Sequence, residues 1–196
     1  MNYLAHIFLS FGDESITIGN VIADFVKGKK VLDYSPEIQK GILIHREIDS
    51  FTDQHLLVRQ GKRRLSEYRH YSGVIMDMYY DHILAKNWSR YSNETLQNYA
   101  ARHYTLFEKN KVLIPEKANY LLHHMKRGNW LYNYQYIEGL QSALTGMSQR
   151  TPFESGMERA TINLKKDYTL LEKEFDVFFK EIIDHIHNFT TQLEVE

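Results

Sequence analysis

The chain contains no cysteine, so it can build neither a disulfide framework nor a thiolate metal site. Three prolines in 196 residues leave little to interrupt helices. No apolar run approaches the roughly 20 residues of a membrane-spanning helix. The opening MNYLAHIFLSF is apolar but short, and it lacks the basic start of a signal peptide. It is expected to be a buried first helix, in a protein with no membrane partner and a reducing, cytoplasmic setting. A net charge of −1 argues against a general nucleic-acid binder, so no nucleic-acid partner is expected.

Alternating strand patterns of useful length are also missing, and what is present is helical periodicity. The length and the 43% hydrophobic content suit one all-α domain over residues 1–196. Helices are predicted near 2–10, 16–27, 36–52, 54–68, 72–88, 93–110, 115–127, 131–146 and 158–192. Ser35-Pro36-Glu37 reads as a cap, a proline at the first helical position and an acid in the first turn. Ile114-Pro115-Glu116 reads as a second start. The aromatic residues of the later helices, among them Tyr99, Tyr104, Phe107, Tyr120, Tyr136, Phe175, Phe178 and Phe179, are expected in packing.

Charge is distributed unevenly. Between Gln54 and Met76 stand Arg59, Lys62, Arg63, Arg64 and Arg69 against the single acid Glu67, and Lys27, Lys29 and Lys30 lie nearby in sequence. The last thirty residues hold eight acids against Lys173 and Lys180. Such a basic run fits either an acidic partner or a solvated face.

Two stretches place polar groups where apolar ones are expected. In ILIHREIDSFTD, residues 42–53, His45 and Asp49 share a helical line with Ile38 and Ile42, while Arg46 and Asp53 lie round the other side. In VIMDMYYDHILA, residues 74–85, Asp77 and Asp81 share a stripe with Val74, Leu84 and Ala85, with His82 in the next sector. Two carboxylates one turn apart on an apolar face repel each other and lose hydration, so a proton, an arginine or a metal ion must neutralise them. Imidazole and carboxylate groups from separate helices can hold Mn²⁺, Fe²⁺ or Zn²⁺. A buried salt-bridge network with Arg46, Arg59 or Arg63 is the competing account. His6 lies within the apolar first helix. Asp24 lies with Asn20 and Lys27 away from the main apolar arc.

The motifs MNYLAHIFLS, GNVIADFVKG, GILIHREIDSFTD and DMYYDHILAKNW, in this order and at these spacings, closely resemble the acyl carrier protein phosphodiesterase family. The resemblance is strongest over residues 1–90. It implies an all-helical, HD-like bundle on an atypical branch of the HD phosphohydrolases. It implies cleavage of the phosphodiester that joins 4′-phosphopantetheine to a serine of holo acyl carrier protein, with a divalent metal, typically Mn²⁺. It points to Asp24, His45, Asp49 and Asp77 around the metal and to His6, Arg46, Asp81 and His82 as catalytic candidates. Ordinary HD enzymes carry an adjacent His-Asp pair. Here the chain reads His45-Arg46 and Asp81-His82, so their ligand set does not transfer. Within the resemblance, Arg59, Lys62, Arg63, Arg64 and Arg69 become candidates for steering an acidic carrier protein. The alternatives are an HD-like phosphohydrolase for a nucleotide or other small phosphodiester, and a non-catalytic helical module that binds an acidic protein.

Overall fold

Ser35 accepts the amide of Ile38, Pro36 opens the first turn and Glu37 places an acid there; together they start α3 (Pro36–Gln54) where the sequence predicts. The computed structural model describes residues 1–193. Before α3 come α1 (Tyr3–Phe8) and α2 (Glu14–Ile22). After it come α4 (Leu56–Arg64), α5 (Ser72–Lys86), α6 (Leu96–Lys109), α7 (Glu116–Arg127), α8 (Trp130–Asn133), α9 (Ile137–Ser148) and α10 (Thr161–Gln192). Among the described residues there is no strand, and the fold is all-α. Glu194 and Glu196 of the acidic tail lie outside the described residues.

Three predicted helices differ from the structure. The one expected over 16–27 ends at Ile22 and continues as a 3-10 turn, Ala23–Phe25. Gly28, at φ 59°, turns the chain away from helix just beyond. Asp24 therefore projects from a short turn at the surface. The helix expected over 54–68 stops at Arg64, and Arg69 adopts φ 50° in the 3-10 segment that follows. The helix expected over 131–146 divides into α8 and α9.

The core gathers Ile42, Ile44 and Ile48 of α3, Ile75, Tyr79 and Tyr80 of α5, and Phe175, Phe178 and Phe179 of α10, all fully buried. Phe178 stacks on Tyr80 with ring centroids 5.0 Å apart. Tyr120 and Tyr136, expected in packing, are exposed.

Glycine sets the approach of α2 to α3. A Cβ on Gly41 would lie 2.9 Å from Gly19 Cα and closer still to the carbonyl oxygen of Ile16. Only a residue without a side chain allows the two backbones this near. Asn20 follows Gly19 directly, and His45 lies one turn after Gly41, so this contact also fixes the spacing of the polar residues described next.

Candidate metal centre

α1 reaches the site without a cap of its own, because Asn2 makes no side-chain capping bond. The carboxylate comes from α5: Asp81 accepts the amides of Leu4 (2.7 Å) and Ala5 (3.2 Å). Two amides that an isolated helix leaves unpaired are thus satisfied from another helix. Burial pushes the Asp81 carboxyl up to about 7, against the pull of these two amides.

On the next turn of α1, His6 faces α2 and α3. Its Nδ1 lies 2.8 Å from Asn20 Oδ1. Asn20 spends its Nδ2 on the carbonyl of His6 (2.9 Å) and on Ser10 Oγ (3.1 Å). Oδ1 is therefore the atom that faces the ring, and His6 Nδ1 must carry the proton. Burial lowers the pKa of His6, which favours the neutral ring. Its Nε2 then presents a lone pair, and it does so 3.3 Å from Asp49 Oδ1. Two acceptors face each other with no proton between them.

His45 stacks on His6 with ring centroids 4.2 Å apart. Its Nε2 is 3.2 Å from Asp49 Oδ2 and 3.4 Å from Asp24 Oδ1. These are ion-pair distances without hydrogen-bond alignment: among the described residues neither ring nitrogen of His45 has a hydrogen-bond partner, although the residue is buried. Burial disfavours its protonation, but the carboxylates of Asp24 and Asp49 outweigh this and raise its pKa to about 9. For Asp49 burial opposes ionisation too, yet the imidazole of His45 and the Met1 α-ammonium group hold its carboxyl well below the usual range. His45 is also the main cause of the lowered pKa of Asp24. Asp77 completes the cluster from α5, with its Oδ1 3.0 Å from the Met1 α-ammonium group, which lies 3.9 Å from Asp49 Oδ1.

His6, Asp24, His45, Asp49 and Asp77 line one cavity of about 270 Å³, together with Asn20, Thr52 and Asp53. One donor atom from each of His6, His45 and Asp49 falls within 4.8 Å of the others. Thr52 Oγ1, buried on the same wall, also has no hydrogen-bond partner among the described residues. A lone pair aimed at a carboxylate, an unpartnered buried imidazole and mixed nitrogen and oxygen donors fit a divalent cation.

The structure does not bring every predicted residue here. Asp81 is fully buried and caps α1, so the two carboxylates of the α5 stripe are neutralised separately, Asp77 beside an ammonium group and Asp81 by backbone amides. His82 is buried on another side, with Nδ1 2.6 Å from the carbonyl of Tyr134 and its ring edge-on to Tyr168. Arg46 is exposed on α3 and does not line the cavity. Of the basic run, Arg59, Arg63 and Arg69 are exposed, and Lys62 pairs with Asp53 at 2.6 Å. Arg64 forms a two-pronged ion pair with the largely buried Glu174 of α10, which makes it part of the packing. Asn20 and Thr52 were not singled out by the sequence. The available signal for Asn20 was its place four residues before Asp24 in GNVIAD.

Fold and cavity together define a class, an all-helical protein with a histidine–aspartate pocket suited to a divalent ion. The family model described as acyl carrier protein phosphodiesterase matches residues 1–182. The chain is 31% identical over 193 residues to the acyl carrier protein phosphodiesterase of Photorhabdus laumondii, covering 96% of both chains. It is 30% identical over 181 residues to that of Yersinia enterocolitica, covering 91% of this chain and 94% of the relative. It is 29% identical over 190 residues to that of Escherichia coli O6:H1, covering 94% and 96%. No solved structure matches. The chain belongs to the acyl carrier protein phosphodiesterase family.

Proposed function

We propose that this protein hydrolyses the phosphodiester linking 4′-phosphopantetheine to the serine of holo acyl carrier protein, releasing the apo carrier protein. As a member of its family it is a phosphodiester hydrolase. The observation that carries the site assignment is the neutral His6 Nε2 facing Asp49, with His45 unpartnered beside it. A divalent ion, Mn²⁺ in this reading, would take up that nitrogen's lone pair together with the carboxylates and supply Lewis acidity and counter-charge toward an anionic phosphodiester. His6, His45, Asp49 and Asp24 would hold it, with Asp77 beside them.

The remaining tasks fall to the chain itself. Asn20 fixes the tautomer and direction of His6. Asp49 faces the Nε2 atoms of both imidazoles at once. Asp81 holds the first turn of α1 and so the height of His6 above α3; it is a positioning residue. Lys62, tied to Asp53 on the cavity wall, places a cation at the rim toward the exposed Arg59, Arg63 and Arg69. That rim suits the acidic surface of a carrier protein and, with it, a cytoplasmic reaction. No helix of the structure is long and apolar enough to cross a membrane.

The test is mass spectrometry of holo acyl carrier protein incubated with this protein and Mn²⁺. Loss of the 4′-phosphopantetheine mass is expected. An unchanged holo carrier protein with Mn²⁺, Mg²⁺, Fe²⁺ and Zn²⁺ in turn would overturn the reading.

A further inference from the structure

A second depression of about 490 Å³ runs between α8 and α9. Trp130, Asn133 and Tyr134 line one side, and Met147 and Arg150 line the other. Gly146 leaves the floor open, for a Cβ built there meets no atom within 4 Å. The groove meets the wall of the metal cavity at one contact. Asn2, on the wall of the cavity, places Nδ2 3.5 Å from the hydroxyl of Tyr134.

We propose that this groove binds the pantetheine arm of the substrate in extended form along α9, with the guanidinium of Arg150 available to its phosphate. The assignment rests on the phosphodiesterase reading above. Its chemistry fits a neutral arm of two amides, a hydroxyl and a dimethyl carbon. Apart from Arg150 the groove has one charged residue, Glu138, so it offers little to a polyanion such as a nucleotide. It offers instead an indole face, a thioether and side-chain amide and hydroxyl groups, the mixed lining of small-molecule sites. Lengths agree. From Glu138 to Ser148, α9 spans about 15 Å, and thirteen bonds from phosphorus to sulfur extend to about 15 Å at the reach of an extended chain. Arg150 donates Nε to the carbonyl of Gly146, and among the described residues it makes no ion pair. Its guanidinium is thus available to an anionic oxygen of the arm.

The test uses the whole protein and free 4′-phosphopantetheine. Trp130 lies in the groove, whereas Trp88, the second tryptophan, is buried with its Nε1 donating to the carbonyl of Glu94. A saturable change in tryptophan emission is expected for the wild type, and its loss in Trp130→Phe would assign the signal to the groove. Gly146→Phe, which fills the floor, and Arg150→Ala should each weaken binding at least tenfold. They should lower kcat/KM for holo carrier protein by a similar factor, while Mn²⁺ affinity and melting temperature stay at wild-type values. Absence of any saturable change at millimolar ligand, or wild-type binding and kcat/KM in both variants, would overturn the proposal. Saturable binding by a wild type that never cleaves holo carrier protein would leave the groove standing and remove the hydrolase reading.

Discussion

Asn20 holds His6 by one ring nitrogen, at 2.8 Å, and so turns the other toward Asp49. Both of its amide hydrogens are already committed to the backbone of His6 and the hydroxyl of Ser10. The side chain that sets the tautomer is therefore itself unable to flip. An orienting partner of this kind commonly contributes 10–100-fold to metal affinity.

The first prediction follows from that relationship. Asn20→Leu removes the acceptor and leaves His6 free to place its proton on Nε2, where it would point at the cation. Mn²⁺ affinity measured by calorimetry should fall by about 10–100-fold, with helical circular dichroism retained. Wild-type affinity would show that Asn20 only fills the core.

A second prediction concerns Asp49. It is held ionised beside His45 and faces an ammonium group, so its carboxylate attracts charge of the opposite sign in the folded protein. Asp49→Ala should abolish metal-dependent turnover, and it should also lower the melting temperature of the metal-free protein by leaving His45 with Asp24 as its one carboxylate partner. A variant with full turnover in Mn²⁺ would remove Asp49 from the centre.

Helix spacing gives a third. Gly41→Ala must push α3 away from α2, because the nearest atoms are backbone and cannot rotate aside. Overpacking of this kind costs about 1–3 kcal/mol, read from urea denaturation. The displacement separates Asn20 and Asp24 from His45 and Asp49, so turnover should fall more than the lost stability accounts for. Equal stability and turnover would mean that the helices separate without cost.

His103 supplies a pH signature remote from the centre. It is buried on α6 with Nδ1 donating to the carbonyl of Tyr99, and burial lowers its pKa from 6.5 to about 4. The unfolded chain takes up this proton below pH 6.5, while the folded chain refuses it until about pH 4. Stability is therefore lost as pH falls through that window. At pH 5 the loss from this group is about 2 kcal/mol relative to pH 7. Urea denaturation of His103→Leu at both pH values should show a smaller difference than the wild type by about that amount. An identical pH dependence would mean that His103 is protonated inside the fold.

The residues legible in the sequence are those whose role is written in local spacing. His45 and Asp49 stood out because a four-residue step on an apolar line is visible without any partner. The start of α3 was visible because Ser35, Pro36 and Glu37 act on their own helix. The capping contact of Asp81 was not legible because the amide of Leu4 that it accepts lies 77 residues earlier, in α1, and nothing local marks a cap supplied from elsewhere. Asn20 looked like a polar residue on the outer face of α2; it becomes interior only when α1 lays His6 and Ser10 against it. Arg64 looked like one of five equivalent basic residues until Glu174 on α10, 110 positions away, claimed it.

That last pairing reshapes the prediction for the carrier protein. Reversing Arg64 would bury two carboxylates together at Glu174 and confound docking with unfolding. Arg59 and Arg63, one turn apart on α4 and both exposed, test docking alone. Arg59→Glu with Arg63→Glu should lower kcat/KM for holo carrier protein about tenfold or more at low salt, since steering acts on encounter. The kcat at saturation should change far less, because the centre itself is untouched. Rising salt should slow the wild type and narrow its lead over the variant, as exposed charges are screened beyond about 10 Å at 0.1 M. If the double variant matches the wild type at low salt, α4 presents only a solvated face, and docking must fall to Lys27, Lys29 and Lys30, which are exposed just past the turn that carries Asp24.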